Sequence, residues 1–208
     1  MSGGISAAIG MSTKTDQHVV AMIGDSTFFH TGMPPLAEAV GYDSNVLLFI
    51  FENQWTAMTG HQDDVLRYLF RKGFSIEKIC KALGVPWLKV ADSYNPKALI
   101  RTINEALDRK GLKVIIIRRE CALQAHRWRT SQVRKLQEEG EKVQEEVYHI
   151  TGCQMCHECS RILSCPAIRR TVVDGRETMK IDDDRCIKCG VCYQICPNSA
   201  IHKSTYNA

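Results

Sequence analysis

Short apolar runs alternate with amphipathic stretches through the first 118 residues. Four runs have the length and composition of buried parallel strands, and they span residues 18–24, 46–51, 87–91 and 113–117. Pro34 and Pro35, Ser75, and Asn95-Pro96 stand where helices begin. They predict helices over 33–41, 76–83 and 97–110, and small apolar residues predict another over 2–12. This alternation predicts an α/β fold with a parallel sheet flanked by helices.

Two polar loops leave the carboxyl ends of the first two predicted strands. They cover residues 24–31 and 52–62, and the second continues irregularly to about residue 64. In parallel α/β sheets, ligands bind beyond the carboxyl ends of the strands. We therefore expect the chemistry of this region in these two loops.

The pattern changes after residue 118. Residues 119–150 mix acidic and basic side chains, which predicts an exposed, partly helical connecting segment. Farther on, Asp174-Gly175 lies between strand-like flanks in residues 171–181, a pattern typical of a tight hairpin. We predict three parts, with boundaries 1–120, 121–149 and 150–208.

Bulk composition narrows the function classes. The 208 residues suit one ordinary domain plus a small one, and 44% hydrophobic with 24% charged residues is typical of a globular protein. No apolar run approaches the roughly 18 residues of a membrane helix, so no membrane partner is expected. A net charge of +4 without a basic, aromatic-interleaved face gives no support for nucleic-acid binding. Ten cysteines without signal-peptide features predict a reducing, anaerobic cytoplasm.

Eight of the ten cysteines form two triple runs, each followed by a Cys-Pro pair. A C-x2-C-x2-C run wraps the backbone around one 4Fe-4S cluster, and the cysteine before proline in the opposite run supplies the fourth ligand. The predicted ligands of the first cluster are Cys153, Cys156, Cys159 and Cys196; those of the second are Cys186, Cys189, Cys192 and Cys165. We expect the remaining two, Cys80 and Cys121, to be packing residues.

Zinc and disulfides explain the cysteines less well. Zinc sites usually use two CxxC pairs without a third cysteine or a following proline, and a disulfide framework needs an oxidising compartment. Residues 150–205 instead resemble the bacterial two-cluster ferredoxins. A ferredoxin alone needs only this last quarter of the chain, so the first 120 residues require a further explanation.

A second group of polar residues lies in the two loops of the predicted sheet. Gly24-Asp25-Ser26 ends one strand and Asn53 ends the next, 28 residues after Asp25. Magnesium prefers one or two carboxylate or amide oxygens together with substrate phosphates, and glycine lets backbone amides approach phosphate. The pair suits a diphosphate-bound magnesium, although an isolated Gly-Asp-Ser is more often a plain turn.

The loop that follows carries a more specific resemblance. Residues 53–62, Asn-Gln-Trp-Thr-Ala-Met-Thr-Gly-His-Gln, resemble a segment of the 2-oxoacid:ferredoxin oxidoreductases, which bind thiamine diphosphate. His30 and Trp55 narrow the resemblance to the alpha subunit of the indolepyruvate branch, over about residues 1–205. Ser26 and His61 stand where the general thiamine motif and the wider family have glycine.

The resemblance implies a role for each loop residue. Magnesium would be held by Asp25, Asn53 and the backbone carbonyl of Trp55. The diphosphate would be cradled by Gly24, Ser26 and Thr27, with Thr59 and Gly60 shaping the loop over it. For His30 two interpretations stay open, a proton-handling role and a histidine hydrogen-bonded within its loop. His61 has the same two.

The resemblance also implies a reaction and partners. The reaction is oxidative decarboxylation of an aryl 2-oxoacid to the acyl-coenzyme A, with electrons passing through two 4Fe-4S clusters to an external ferredoxin. Family members add a pyrimidine-binding portion and a first strand, so the chain is expected to be the C-terminal part of an alpha subunit. It would be inactive alone, needing that portion and a beta subunit. The alternative is an electron-transfer protein with a non-catalytic front domain.

Overall fold

The computed structural model describes residues 3–63 and 65–207, so Ser2 and Asp64, at the edges of a predicted helix and loop, lie outside the described residues. The chain divides into two compact units, Met1–Cys121 and Ala122–Ala208. The predicted boundaries at 120 and 149 stay a prediction. The predicted class is confirmed, because a parallel-sheet α/β unit precedes a small α+β unit. No helix in the described ranges is long and apolar enough to span a membrane.

A four-stranded parallel sheet, in the order β1-β2-β6-β5, organises the first unit. Its strands are β1 (Val19–Gly24), β2 (Val46–Glu52), β5 (Trp87–Ala91) and β6 (Lys113–Arg118), and a short hairpin is formed by β3 (Trp55–Thr56) and β4 (Gln62–Asp63). Gly24 aligns with Phe51 across β1 and β2, so the carboxyl ends of these two strands are neighbours. All four predicted strands are present, within one residue at each end.

Helices connect these strands. They are α1 (Gly3–Ser12), α2 (Asp25–Thr27), α3 (Met33–Gly41), α4 (Val65–Arg71), α5 (Ile76–Ala82) and α6 (Pro96–Leu107), with a π-helical segment Phe28–Gly32 and a 3-10 turn Ala57–Thr59. Ser75 caps α5 by accepting the Lys78 amide at 3.1 Å, and the Asn95 side chain caps α6 by accepting the Ala98 amide at 3.1 Å. Both predicted helix starts are therefore confirmed.

The prediction of a loop over 24–31 is wrong, because helical backbone begins at Asp25 and continues to Gly41. Phe28 is fully buried in the π-helical part. A Cβ on Gly32 would stand 2.9 Å from Ile23 Cδ1, so only glycine lets the helix pass this close to β1. Tertiary packing thus makes a polar sequence helical.

Apolar side chains cover both faces of the sheet. On one face, α1, α3 and α5 contribute Ile5, Leu36 and Ile76 to a core that includes Leu48 and Ile116. On the other face, α6 packs on the residues that alternate with these along the strands, namely Leu47, Phe49, Ile115 and Ile117. Cys80 is fully buried in the first core, which fits the packing role expected for it.

The second unit combines two antiparallel strand pairs with short helices. Its elements are α7 (Ala122–Glu138), β7 (Gln144–Ile150), α8 (Glu158–Leu163), β8 (Ile168–Val173), β9 (Arg176–Ile181), α9 (Val191–Ile195) and β10 (Ile201–Asn207). β8 and β9 form the predicted hairpin, and Asp174 and Gly175 at its turn have positive φ of 50° and 74°. The segment predicted as a connector contains α7, without a fully buried residue, and β7, which pairs with β10.

Candidate functional site

Asp25 lies at the carboxyl end of β1, where helical backbone begins. Its side chain is buried, with 3% of the residue exposed. One carboxylate oxygen accepts the amide of Ser26 at 2.8 Å, and the other accepts the amides of Asn53 and Gln54, both at 2.8 Å. Backbone donors of this kind stabilise a buried carboxylate. The structure therefore brings Asp25 and the Asn53 turn into direct contact.

The turn after β2 is shaped by the residues that follow Asn53. The Asn53 side-chain oxygen accepts the Trp55 amide at 2.9 Å, and Gln54 takes a left-handed backbone with φ 64°. The Ser26 and Thr56 hydroxyls lie 3.3 Å apart, a second link between the two strand ends. These contacts gather Asp25, Ser26 and Asn53 at one edge of the sheet.

The Trp55 indole ring contacts Glu120 through its nitrogen and Arg67 over its ring. Its Nε1 donates to the Glu120 carboxylate at 3.4 Å, and the Arg67 guanidinium lies 4.2 Å from the ring centroid. Arg67 belongs to α4, an element that the sequence analysis did not predict. The ring is thus fixed between the end of β6 and α4.

Thr59 and Gly60 lie in the exposed part of the same loop. Gly60 has φ 116°, a conformation that favours glycine, and the Thr59 hydroxyl and carbonyl both bond the Gln62 side chain, at 2.7 and 2.6 Å. The His61 Nε2 atom is buried, and within the described part of the chain it has no hydrogen-bond partner. The neighbouring Met58 is 99% exposed.

Gly24 and His30 border this region differently. A Cβ built on Gly24 would meet no atom within 4 Å, and its φ of −82° is open to any residue. Neither packing nor backbone conformation therefore requires glycine here, which fits a position kept clear for a ligand. Thr27 follows in α2, half-buried, and His30 is exposed in the π-helical segment.

The first predicted cysteine set lies around one pocket of the second unit. Its lining includes all four members, Cys153, Cys156, Cys159 and Cys196. Burial, above all, raises the pKa of the Cys159 thiol, and the other three thiols add to the rise because their charge is close by. Residues far apart in sequence thus meet as their spacing predicted.

Polar hydrogens point at the sulfur atoms of this first set. The Met155 amide lies 3.4 Å from Cys153 Sγ, and the Ala200 amide lies 3.3 Å from Cys196 Sγ. The Asn198 side-chain amide lies 3.5 Å from Cys156 Sγ. Such donors stabilise thiolate charge and help set the potential of iron–sulfur clusters.

The thiols of the second predicted set are close enough to one another to shift each other's pKa. Burial, as the largest cause, raises the pKa of the Cys192 thiol to about 12, and the charges of Cys189, Cys186 and Cys165 add to it. The Cys186 thiol pKa is raised by burial and by Cys189 and Cys165, against a lowering by the Lys188 amide. A thiol loses its proton when its sulfur binds a metal.

Among the side chains that the structure describes, no three of His, Cys, Asp or Glu are arranged to hold a single metal ion. Neither the predicted 4Fe-4S sites nor the predicted magnesium site requires such a group of three side chains around one ion. Four thiolates of a 4Fe-4S cluster bind four different irons at corners of a cube. The predicted magnesium set contains one carboxylate, an amide oxygen and a backbone carbonyl.

Some residues at these sites were missed from the sequence. Gln54 contributes only its backbone amide, so its side-chain type gives no indication. Thr56 and Glu120 contact Ser26 and Trp55 from positions that only the folded strands define. Glu120 lies two residues after the carboxyl end of β6, a position that could have marked it as a candidate.

Family comparisons agree with this geometry. Residues 1–117 match the family described as thiamine pyrophosphate enzyme, C-terminal TPP binding domain. The chain belongs to this family. Residues 179–202 match the 4Fe-4S binding domain and include four of the eight cysteines. The first triple run lies outside that match.

Curated relatives are named indolepyruvate oxidoreductase subunit IorA, which confirms the resemblance expected from the sequence. The Archaeoglobus fulgidus protein is 35% identical over 214 residues, covering 100% of this chain and 32% of the relative. The Thermococcus kodakarensis protein is 35% identical over 206 residues, covering 96% and 30%. The Methanothermobacter marburgensis protein is 36% identical over 206 residues, covering 97% and 31%. The chain thus spans about a third of their length.

A solved structure overlaps in part. It is a protein from Mycobacterium smegmatis described as a thiamin diphosphate-dependent enzyme, with a TM-score of 0.44 and 20% identity, over 57% of this chain and 22% of that one. That score is too low for the overlap to bear on function.

Proposed function

We propose that this chain is the diphosphate-binding and electron-transfer part of an indolepyruvate-type 2-oxoacid:ferredoxin oxidoreductase. The observation that carries the proposal is the contact of buried Asp25 with the Asn53 turn, at the carboxyl ends of neighbouring strands in a thiamine pyrophosphate family domain. The same chain contains a 4Fe-4S domain. The overall reaction would convert an aryl 2-oxoacid and coenzyme A to acyl-coenzyme A and carbon dioxide, and an electron pair would leave to ferredoxin.

The donor set fits magnesium with a diphosphate. Asp25, Asn53 and the Trp55 carbonyl offer the hard oxygens that Mg²⁺ prefers. Gly24, Ser26 and Thr27 would lie against the diphosphate, since the space beside Gly24 is open and the three residues stand at the carboxyl end of β1. In this proposal Thr59 and Gly60 shape the covering loop.

The chemistry that thiamine diphosphate supplies when bound is an electron sink at the carbon that loses carbon dioxide. The residues of this chain would bind and orient it. His30 is exposed on the π-helical segment and could exchange a proton with a group bound there, the role we propose for it. The second histidine available to a bound group is His61, whose buried Nε2 has no hydrogen-bond partner among the described residues.

The eight cysteines would hold two 4Fe-4S clusters, four ligands to each. The grouping of Cys159 with Cys153, Cys156 and Cys196 supports the first set, and the grouping of Cys192 with Cys165, Cys186 and Cys189 supports the second. One-electron carriers on the same chain suit a substrate oxidation that ends at ferredoxin, in the anaerobic cytoplasm expected from the composition.

Further partners are part of the proposal. The relatives are about three times as long as this chain, and their name is that of a subunit. We expect catalysis to need a pyrimidine-binding portion and a beta subunit. The purified chain alone should then fail to reduce a viologen dye with indolepyruvate and coenzyme A. Reduction by the single chain would contradict this part.

Calorimetry with thiamine diphosphate, with and without Mg²⁺, tests the cofactor site. We expect binding that depends on magnesium and weakens at least about tenfold in Gly24→Ala, because the new methyl group takes the open space. Gly41→Ala is the matched control, since a Cβ there also meets no atom within 4 Å but lies at the far end of α3. The absence of magnesium-dependent binding would favour the alternative, an electron-transfer protein with a non-catalytic front domain.

A further inference from the structure

An ion pair with little exposure lies inside the second cysteine run. The Lys188 ammonium, between Cys186 and Cys189 in sequence, bonds to the Glu145 carboxylate of β7. Their side chains are only 15% and 14% exposed. On the same strand, Glu146 pairs with Lys203 of β10 at 2.5 Å, but those side chains are 49% and 43% exposed. Two neighbouring pairs thus differ mainly in burial.

The loop around Lys188 is fixed by the segment that the sequence suggested was a connector. Arg129 of α7 donates to the Ile187 carbonyl at 3.1 Å. Lys188 itself has φ 57°, and its backbone amide is close enough to the Cys186 thiol to lower the pKa of that thiol. Contacts from α7 and β7 thus reach the chain between Cys186 and Cys189, at Ile187 and at Lys188.

We propose that the Glu145–Lys188 pair tunes the reduction potential of the second cluster by balancing two charges beside it. The inference rests on the proposed cluster ligands. Reduction adds negative charge to a cluster, so a nearby ammonium favours it and a nearby carboxylate opposes it. Burial limits screening by salt, which keeps each single charge effective. While the pair is intact, the two effects largely cancel.

The test is an EPR-monitored redox titration of the reconstituted full chain. Glu145→Gln removes one negative charge from the pair, so the second potential should become more positive. Lys188→Met removes one positive charge, so the second potential should become more negative. At a fixed solution potential, each change should alter the reduced-to-oxidised ratio roughly tenfold, about 59 mV for a one-electron couple. The Glu145→Gln/Lys188→Met double variant should return close to wild type.

Controls separate a charge effect from a structural one. The first cluster's potential is the internal reference and should stay unchanged in all variants. Glu146→Gln and Lys203→Met neutralise the exposed pair on the same strands, and screening should keep their shifts small. If the pair only supports the loop, the reduction potential of the second cluster should shift in the same direction in both single variants. That result would overturn the inference. An unchanged potential in both variants would overturn it as well.

The proposed ligands are checked separately in the wild-type chain. Two cluster signals and about eight irons per chain are expected from two 4Fe-4S clusters. Two cluster signals without opposite potential shifts in the two variants would overturn the tuning inference but would leave the ligand assignment unaffected. A single signal would remove the second ligand set, and the tuning inference with it.

Discussion

The Asp25 carboxylate accepts the Asn53 amide at 2.8 Å, although the two residues are 28 positions apart. They end two neighbouring parallel strands, in which Gly24 aligns with Phe51. The same oxygen also accepts the Gln54 amide, so one buried side chain accepts hydrogen bonds from two successive backbone amides of the turn that follows β2. Asp25 therefore connects the carboxyl ends of β1 and β2 through hydrogen bonds within the protein itself.

Asp25→Asn should lower the free energy of unfolding by roughly 2 kcal/mol in the absence of thiamine diphosphate. The amide keeps one acceptor oxygen, and its NH₂ group faces a backbone donor that loses its partner. Chemical denaturation measures the change. Asp16→Asn, at an exposed position of the same unit, should stay within about 0.5 kcal/mol of wild type. Equal stability of both variants would contradict the structural role of Asp25.

Gly190→Ala should destabilise the second unit far more than Gly152→Ala. Both glycines have left-handed backbone, with φ of 71° and 69°, so both changes cost about 1–2 kcal/mol of strain. At Gly190 the new Cβ would also lie 2.7 Å from the Tyr148 hydroxyl, whereas at Gly152 it meets nothing within 4 Å. We expect an extra loss of about 2 kcal/mol, measured by denaturation of the reconstituted chain.

Tyr148→Phe tests the cause of that extra loss. Removing the hydroxyl should restore part of the stability of Gly190→Ala and none of that of Gly152→Ala. If Gly190→Ala and Gly152→Ala lose the same amount, the close contact with Tyr148 has no energetic weight.

Arg118→Met should lower the free energy of unfolding by about 3–5 kcal/mol. The Glu52 side chain is fully buried, and Arg118 donates to both of its carboxylate oxygens, at 2.9 and 3.2 Å. Without the guanidinium, a buried charge loses its partner. Arg119→Met is the matched control, because its partner Asp92 is 42% exposed, and it should cost less than about 1 kcal/mol. Similar losses in the two variants would argue against a special role of burial.

The Cys80 thiol should make stability fall at alkaline pH. Burial is the largest cause that raises its pKa from 9.0 to about 12. A raised folded-state pKa gives a contribution that is complete below pH 9 and is lost as pH rises towards 12, because only the unfolded chain ionises there. The loss is about 1.4 kcal/mol per pH unit.

Cys80→Ala isolates this contribution. The variant carries a cavity cost that does not depend on pH, so its stability deficit relative to wild type should shrink between about pH 9 and pH 10.5. Urea denaturation at several pH values gives the comparison. A deficit that stays constant over this range would show that the thiol does not titrate as expected.

The strands were predictable because each is a mainly apolar run, and residues 46–51 and 113–117 are buried on both faces of the sheet apart from Phe51. Ser75 and Asn95 were predictable as caps because their side chains bond locally. The helical backbone from Asp25 was not, since residues 25–32 lack helical periodicity. What makes them helical is the burial of Phe28 and the close approach at Gly32, and both need the folded sheet.

The functional sites, too, contain some features that the sequence could predict and others that it could not. Cysteine spacing predicted which thiols meet, because cluster-binding runs have fixed intervals. The Glu145–Lys188 pair joins residues 43 positions apart and depends on where β7 lies, which a run of mixed charges does not reveal. The amides of Asn53 and Gln54 act through the backbone, so no side-chain pattern could have indicated them.

The antiparallel pairing of β7 with β10 has a consequence for modular transfer of the second unit. Gln144 lies opposite Asn207, and Ile150 lies opposite Ile201. The segment from residue 144 to residue 207 therefore begins and ends with two strands that lie side by side. Because Gln144 and Asn207 are neighbours, residues 144–207 could be inserted as one piece into a surface loop of another protein. The graft has to begin at or before Gln144, because a segment cut at residue 150 leaves the closing strand without its partner.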